Sequence, residues 1–514
     1  MIALLGGCGA IGDTASTGDT ALTSPPASYV DVAEDIGVGD IDLGSPGEAY
    51  GYNGAGLAPL VLDDLDGDGD PDLLAGNFGT SPSLYLNLGD RFEEGEPLPP
   101  CPEAGSLPTS PLALIAADLD GDAIVDVAGL GPASVVMWRG LGEGRFDAAE
   151  VAWVDEGFPP ALRFSFAAGD LDGDGDVDLA LPGYGYPDAE AGTGAPFLWL
   201  ESPFPASRAW TAAEMLAPAT LFVLRLTDRD ADGDLDILAP PDRAAQIQFW
   251  RNDRGSFEDD AAAIGAMHAL SGMGITALEL GDDGQLDYCL TDVGDPLCLV
   301  STGDGIYAEA SAALGIYPRE PAVEGTSTIG WAIEAVDLDN DGDDDLLQAS
   351  GPHTEIAPGD PEIWPDLAFL REGDGFEERG EALGLASRHH HAGLRAADLD
   401  GDGTVEVVVT GYDEPPHVYR RETSENNWLA VDLVGKAPNT SAIGARVEIV
   451  TPSATIIREL VALTGPMQGA RRVHVGLGDA DEASVRVLWP GGEWSDSTAA
   501  PANVVLTMTQ PDPN

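Results

Sequence analysis

A chain of 514 residues with 65 Gly, 39 Pro and 4 Cys is long enough for one large domain plus a smaller one. Its glycine and proline suit many tight turns rather than long helices. With 90 Asp and Glu against 23 Lys and Arg, the formal net charge is −67. Like charges repel and no basic stripe exists to neutralise phosphates, which excludes nucleic acid as a partner. No apolar run approaches the ~20 residues of a membrane helix. The acidic surplus, with Lys436 the single lysine, reads as a solvated surface that keeps the protein soluble.

The N-terminus runs Met1-Ile-Ala-Leu-Leu-Gly-Gly-Cys8. Leu5-Gly6-Gly7-Cys8 resembles a bacterial lipobox, without the basic region and longer apolar stretch that precede one. Either the true start lies upstream or the match is accidental. Residues 9–26 are rich in Thr, Ser, Gly and Asp, a composition that behaves as a flexible linker. Residues 1–27 are expected to form a truncated lipoprotein-type signal and tether, with a lipid anchor on Cys8.

Seven acidic runs then follow. Their carboxylates are Asp64, Asp66, Asp68 and Asp72; Asp118, Asp120, Asp122 and Asp126; Asp170, Asp172, Asp174 and Asp178; Asp228, Asp230, Asp232 and Asp236; Glu279, Asp283 and Asp287; Asp337, Asp339, Asp341 and Asp345; and Asp398, Asp400, Asp402 and Glu406. They occupy positions 1, 3, 5 and 9 of a nine-residue run, apart from Gly281 in the fifth. This pattern folds hard oxygen ligands around one Ca²⁺, with position 7 offering its backbone carbonyl. Up to seven Ca²⁺ are expected. The fifth site is the weakest, because it loses one charged ligand and carries the longer Glu279; runs 1, 3, 4 and 6 keep four aspartates and Gly at position 6. An EF-hand needs a bidentate acid at position 12. Here that position is Ala75, Gly129, Leu181, Ala239, Leu290, Gln348 and Val409. Short apolar segments follow position 9, such as Leu73-Leu74-Ala75 and Val407-Val408-Val409, and read as buried strands.

Successive runs start 51 to 61 residues apart, a period of several short strands that points to a propeller or solenoid. A Gly-rich turn and an aromatic recur in phase, and the aromatic opens a short acidic segment ending in Gly: Phe257 to Gly265, Tyr307 to Gly315, Phe376 to Gly384. The last repeat lacks that segment. Tyr29 to Gly37 supplies it at the other end of the chain, so this stretch is expected to complete the seventh blade and remove an open edge.

Cys289 and Cys298 lie symmetrically about Val293-Gly294, opposite each other in a tight hairpin. They form either a cross-strand disulfide or two buried thiols; Cys101 is left over. His389-His390-His391 is the only histidine cluster, and consecutive strand residues point to opposite faces, so the three do not converge on one site. The acidic pairs are absorbed as calcium ligands, which argues against glycosidase-type chemistry. No Ser/His/Asp arrangement, phosphate loop or dinucleotide fingerprint stands out. No catalytic or organic-cofactor residues are expected.

Period-2 segments resume after residue 426: Leu429-Val431-Leu433, Val447-Ile449, Val473-Val475-Leu477, Val485-Val487-Trp489 and Val504-Leu506-Met508. They predict a small β-domain of roughly six strands. The acidic loop followed by an apolar strand resembles the FG-GAP/VCBS repeat of integrin-α-type propellers. Asn427-Trp428-Leu429, Ile443-Gly444-Ala445-Arg446-Val447, His474-Val475-Gly476-Leu477-Gly478 and Val487-Leu488-Trp489-Pro490-Gly491-Gly492 resemble the ASPIC/UnbV domain. Together they resemble the cartilage-acidic-protein-1-like group. The expected fold class is all-β: a seven-bladed β-propeller with Ca-binding loops over 28–425, then a small C-terminal β-domain over 426–514. The resemblance implies an extracytoplasmic surface or periplasmic module for recognition or adhesion, with a protein or glycan ligand on a propeller face. The alternative is a calcium-dependent enzyme acting on extracellular polysaccharide, which would need converging His, Arg, Tyr or acidic groups in the central channel. Calcium points the same way on location, since weak sites fill only where free Ca²⁺ is about 0.1–1 mM, outside the cytosol.

Overall fold

The computed structural model describes residues 28–43, 59–76, 81–102, 111–131, 134–155, 163–185, 195–202, 210–281, 283–293, 296–303, 305–317, 329–351, 365–411, 414–421, 424, 426–463, 465 and 467–512. The lipobox and tether lie outside them. The described residues are almost wholly β, with one four-residue helix, Gly380–Leu383.

Among the described residues, seven sheets with four antiparallel strands each follow one another along the chain, two of them extended by a fifth strand from the C-terminal part. Sheet 1 is built from Leu60–Asp63, Asp72–Ala75, Ser83–Asn87 and Phe92–Glu94. Sheets 2 to 6 begin at Ala113–Ala117, Ala167–Gly169, Arg225–Thr227, Ile275–Leu278 and Ile329–Val336, and sheet 7 at His391–Ala397. Each acidic run joins the first strand of its sheet to the second. The residues after position 9 are buried because they form that second, central strand: Asp72–Ala75, Asp236–Ala239 and Asp287–Leu290 are buried throughout.

Seven buried clusters each join two neighbouring sheets. Leu74 shares one with Val127, Leu130 with Leu179, Phe197 with Trp250, Phe249 with Tyr288, Cys298 with Phe369, Leu347 with Val407, and Val408 with Leu62. The last of these links sheet 7 to sheet 1, so the ring is closed and the fold is a β-propeller. Closure uses the N-terminal stretch. Val30–Asp31 pairs antiparallel with His417–Arg420 as the outer strand of sheet 7. The phased aromatic explains the rest: Tyr307 N–H donates to Ile264 O, Phe376 to Leu314 O, Tyr29 to Leu383 O and Phe92 to Ile36 O, at 2.7–2.8 Å. One bond is thus repeated between neighbouring sheets, and Tyr29 to Ile36 fills the place that sheet 7 would otherwise leave vacant. The glycine ending each segment (Gly37, Gly265, Gly315 and Gly384) has φ between 76° and 87° and abuts a backbone carbonyl of the next sheet, where a side chain would overlap it.

Cys289 and Cys298 are register partners on neighbouring strands of sheet 5 and are disulfide-bonded. Cys101 is in no disulfide and is partly buried.

The C-terminal strands form a separate core. Val473–Gly478, Asn427–Val434 and Val504–Thr509 make one sheet, while Thr455–Glu459, Arg446–Val450 and Glu482–Trp489 lead a second. The period-2 residues Leu429, Val431, Val447, Ile449, Val475, Val485, Val487 and Trp489 pack between them, fully buried. What patterning did not indicate is the segment between Glu459 and Val473, which enters the propeller channel. Ala462–Leu463 pairs with Ala167–Ala168 of sheet 3, and Met467–Gln468 runs parallel to Leu60–Val61 of sheet 1. The small residues Ala167, Ala168 and Gly169 of sheet 3 leave room for it on that side.

Candidate metal centres

The acidic runs share one local architecture. The position-1 carboxylate accepts the position-6 N–H: Gly69 to Asp64 at 3.0 Å, Ala123 to Asp118 at 2.8 Å, Gly175 to Asp170 at 2.9 Å, Gly233 to Asp228 at 3.0 Å, Gly342 to Asp337 at 2.8 Å and Gly403 to Asp398 at 2.9 Å. Position 6 is left-handed, with φ of 70–99° in these six runs, which glycine adopts freely. Ala123 adopts it at φ 70° and Ala231, at position 4 of the fourth run, at φ 58°. Both carry strain of about 1–2 kcal/mol. The position-5 carboxylate accepts the position-7 N–H in all seven runs, as from Asp176 to Asp174 at 3.0 Å.

Position 9 ties each run to its sheet. In six runs one oxygen accepts the position-2 N–H, for example Leu171 to Asp178 at 3.1 Å, and the other accepts from the end of the third strand, Ser202 to Asp178 at 2.8 Å; in the fourth run Asp236 Oδ2 lacks that bond. In the seventh run the second bond comes instead from the Arg420 side chain, at 2.9 Å to Glu406. Burial pushes Asp72, Asp126 and Asp287 up to about 7, and Asp178, Asp236 and Glu406 to about 8. Desolvation likewise raises position 1, with Asp170 and Asp398 at about 6 and Asp228 at about 7. Several carboxylates held together and partly buried are unfavourable as anions without a cation.

The structure brings Asp64, Asp66 and Asp72 together, and likewise Asp118, Asp120 and Asp122; Asp170, Asp172 and Asp178; and Asp228, Asp230 and Asp232. Oxygens within each set lie within 4.8 Å of one another. Asp120 Oδ1, Asp236 Oδ2 and Asp398 Oδ1 are buried without a hydrogen-bond partner. An all-oxygen donor set with orphaned inward oxygens fits a hard cation such as Ca²⁺. Basic neighbours differ between runs. Arg139 pairs with Asp120, Arg420 lies 3.2 Å from Asp400, and Arg229 lies 3.6 Å from Asp230, so position 3 is shared with a guanidinium in runs 2, 7 and 4. In the fifth run Ser301 Oγ donates to Asp283 at 2.9 Å.

Every acidic loop also touches the C-terminal domain. Arg472 donates to Gly69 O at 2.8 Å, Asp118 N–H to Ser441 Oγ at 2.8 Å, Arg446 to Asp228 O at 3.4 Å and to Gly284 O at 2.6 Å, and Gly478 N–H to Asn340 O at 2.9 Å. Pro438 lies over Gly175, and Trp428 packs on Gly403. Below this face the channel is plugged. Glu459 pairs with Arg225 at 3.1 Å, Arg471 with Asp63 at 2.6 Å, and Gln468 exchanges two 2.9 Å bonds with the Ala116 backbone. The remaining cavity of 190 Å³ is lined by Arg225, Glu334, Arg395, Glu459, Arg472 and His474 among others. None of these contacts was legible as a motif; the one clue is that Arg446, Arg458, Arg471 and Arg472 concentrate basic charge in an acidic chain.

The histidine run meets side chains from elsewhere in sheet 7. His389 approaches Glu414 and His417, and His391 lies beside them.

A propeller whose sheets each carry an acidic loop between their first and second strands, capped on the loop face by a β-domain, is the class that fold and site define. Residues 64–129 and 118–181 match the FG-GAP-like repeat, and residues 435–514 match the ASPIC and UnbV family. The chain thus combines FG-GAP-like repeats with an ASPIC and UnbV domain, the architecture of the cartilage-acidic-protein-1-like group. It is 26% identical over 302 residues to cartilage acidic protein 1 of Mus musculus and 25% identical over 303 residues to that of Homo sapiens, covering 54% of this chain and 43% and 42% of those proteins. The chain therefore matches under half the length of these relatives. Among solved structures it is similar to BBS1N in complex with ARL6DN (TM-score 0.44, 9% identity, 72% of this chain and 93% of that one). It is also similar to an N-acetylglucosamine-recognising lectin of Agrocybe aegerita (TM-score 0.37, 16% identity, 73% and 92%).

Proposed function

We propose that this protein is an extracytoplasmic, calcium-loaded recognition module in which seven loop-bound ions hold the propeller to its C-terminal domain. The observation that carries the reading is the repeated loop, with four carboxylate positions, orphaned oxygens and a direct contact from the second domain. Asp64, Asp66, Asp68 and Asp72, with their counterparts in the other runs, would hold Ca²⁺, and the fifth run is the weakest. The ion offsets carboxylate repulsion and fixes the backbone on which the C-terminal domain rests. With the loop face covered, recognition of a protein or glycan falls to the opposite face and the rim. A buried disulfide between Cys289 and Cys298 fits an oxidising, extracytoplasmic compartment. Among the described residues no helix is long and apolar enough to cross a membrane.

A polysaccharide-processing enzyme has less support. The channel in which catalytic groups would have to converge is filled by the segment between Glu459 and Val473, which leaves a cavity of 190 Å³. The test is Ca²⁺ calorimetry on chelator-treated protein, followed by glycan-array and pull-down screens with and without Ca²⁺. Several exothermic sites and calcium-dependent capture are expected. Melting midpoints that agree with calcium and with chelator would overturn the calcium reading, and turnover of a polysaccharide would overturn the recognition reading.

A further inference from the structure

The end of sheet 7 remote from the acidic loops gathers three imidazoles around one carboxylate. His391 opens the first strand, His389 lies two residues before it, His417 opens the third strand, and Glu414 sits in the turn between. The three rings stand 5.3–5.6 Å apart, centroid to centroid. Glu414 Oε2 lies 3.0 Å from His389 Nδ1 and 3.7 Å from His417 Nε2, and Glu414 Oε1 lies 3.6 Å from His391 Nε2.

The second nitrogen of two rings is already engaged. His391 Nδ1 bonds the carboxylate of Asp366, and His417 Nδ1 bonds Asp31 Oδ2 at 2.7 Å. Both Nε2 atoms therefore face the cluster, and neither they nor Glu414 Oε1 have a hydrogen-bond partner, although all three are buried. His391 itself is 1% exposed. Separations of 3.6–3.7 Å are too long for hydrogen bonds. They approach the ~3.3 Å between two ligands placed 2.0–2.1 Å from one tetrahedral ion. Carboxylates behind the imidazoles are the usual outer shell of a metal-bound histidine, fixing the tautomer that presents Nε2. Gly411 leaves the space Glu414 occupies, since a side chain there would overlap its carboxylate. A purely ionic cluster would crowd three imidazoles on one carboxylate and leave two buried nitrogens unsatisfied, which is unfavourable.

We propose that His389, His391, His417 and Glu414 form a binding site for one divalent transition-metal ion of the Zn²⁺ class. Imidazole nitrogen selects such ions over Ca²⁺, so the site is chemically separate from the acidic loops. His389 is half exposed and gives the ion a way in from solvent. Because Asp31 belongs to the N-terminal strand, the ion also ties ring closure to the rest of sheet 7.

The test uses the full chain in excess Ca²⁺, which occupies the oxygen sites, titrated with Co²⁺ and then Zn²⁺. One equivalent of Co²⁺ should develop the intense visible bands of tetrahedral nitrogen coordination, and Zn²⁺ should bleach them. His389→Ala, at a half-exposed position where folding is not at stake, and Glu414→Gln should each weaken binding about tenfold or more, whereas Asp174→Ala in the third acidic loop should leave the bands intact. Absence of tetrahedral bands, or bands that survive both His389→Ala and Glu414→Gln, overturns the proposal.

Discussion

Replacing Glu459 by alanine tests whether the channel segment stabilises the propeller or merely occupies it. Glu459 Oε2 lies 3.1 Å from Arg225 Nη2, its two oxygens accept Thr227 Oγ1 at 2.8 and 3.0 Å, and Oε1 accepts Asp228 N–H at 2.8 Å. The Arg225 and Glu459 side chains are 8% and 2% exposed. Truncation leaves a buried guanidinium without its counter-ion, a loss of about 3–5 kcal/mol. At roughly 2 °C per kcal/mol for a large cooperative unit, the melting midpoint should fall by about 6–10 °C in calcium. One term opposes this. Asp228 is held up by burial first and then by the Glu459 charge, so its removal relieves the fourth loop. Glu459→Gln keeps the shape and an acceptor for Asp228, and should lose about half as much, since charged hydrogen bonds contribute about 1.5–3 kcal/mol. The assay is circular dichroism melting paired with limited proteolysis, which should release the C-terminal domain earlier in Glu459→Ala. If Glu459→Ala melts and resists protease like the wild type, the channel segment is not part of the cooperative unit and the reasoning fails.

Three further outcomes are expected. The carboxyls of Asp178 and Asp236, pushed up to about 8 by burial, bind protons more tightly folded than unfolded. In chelator, stability should therefore be lost as pH rises through about 7–8 and regained toward pH 4; in excess Ca²⁺, which needs the deprotonated form, melting scans should show this slope flattened or reversed. Ala123→Gly removes left-handed strain of about 1–2 kcal/mol against a glycine entropy cost of about 0.5–1 kcal/mol, so urea unfolding should show a gain of about 0.5–1 kcal/mol, and a loss would refute the strain. Deleting residues 1–38 removes Tyr29 and the Val30–Asp31 strand and should cause aggregation by light scattering, whereas deleting 1–27 should be silent; equal behaviour of the two truncations would count against ring closure by this strand.

The parts legible in the sequence were those whose partners recur at fixed spacing. Asp170 and Gly175 are five residues apart and repeat around the ring, and so announce their loop. Tyr29 to Gly37 was legible because its counterpart is conspicuously missing after Tyr419. Period-2 patterning placed Val447, Val475 and Val487 correctly in one core. The channel segment was not legible, because its contacts join distant positions: Gln468 reaches Asp63 across 405 residues, and no local period records such a pair. The histidine site failed for a related reason. Alternation excludes three consecutive histidines from one site, but His389 and His391 share theirs with His417 and Glu414, which a strand pairing brings across. Which arginine meets which loop, as Arg139 meets Asp120, is set by side-chain reach between neighbouring strands and leaves no spacing rule.

The segment that fills the channel is also the part that a ribosome makes late. At about 5–20 residues per second, the 405 residues between Asp63 and Gln468 separate the first inner strand from its partner by roughly 20–80 s of synthesis. For most of that interval Val30–Asp31 also waits for His417–Arg420. A nascent chain thus carries two unmatched elements, Val30–Asp31 and Leu60–Asp63, and each is matched only by sequence made several hundred residues later. A product that stops short of Glu459 has an open bore and a bare Arg225, exposing the inner strands of sheets 1 and 3 where a complete chain shows none. Synthesis through Gln468 is thereby written into the fold, as a difference in surface that a protease or chaperone can read.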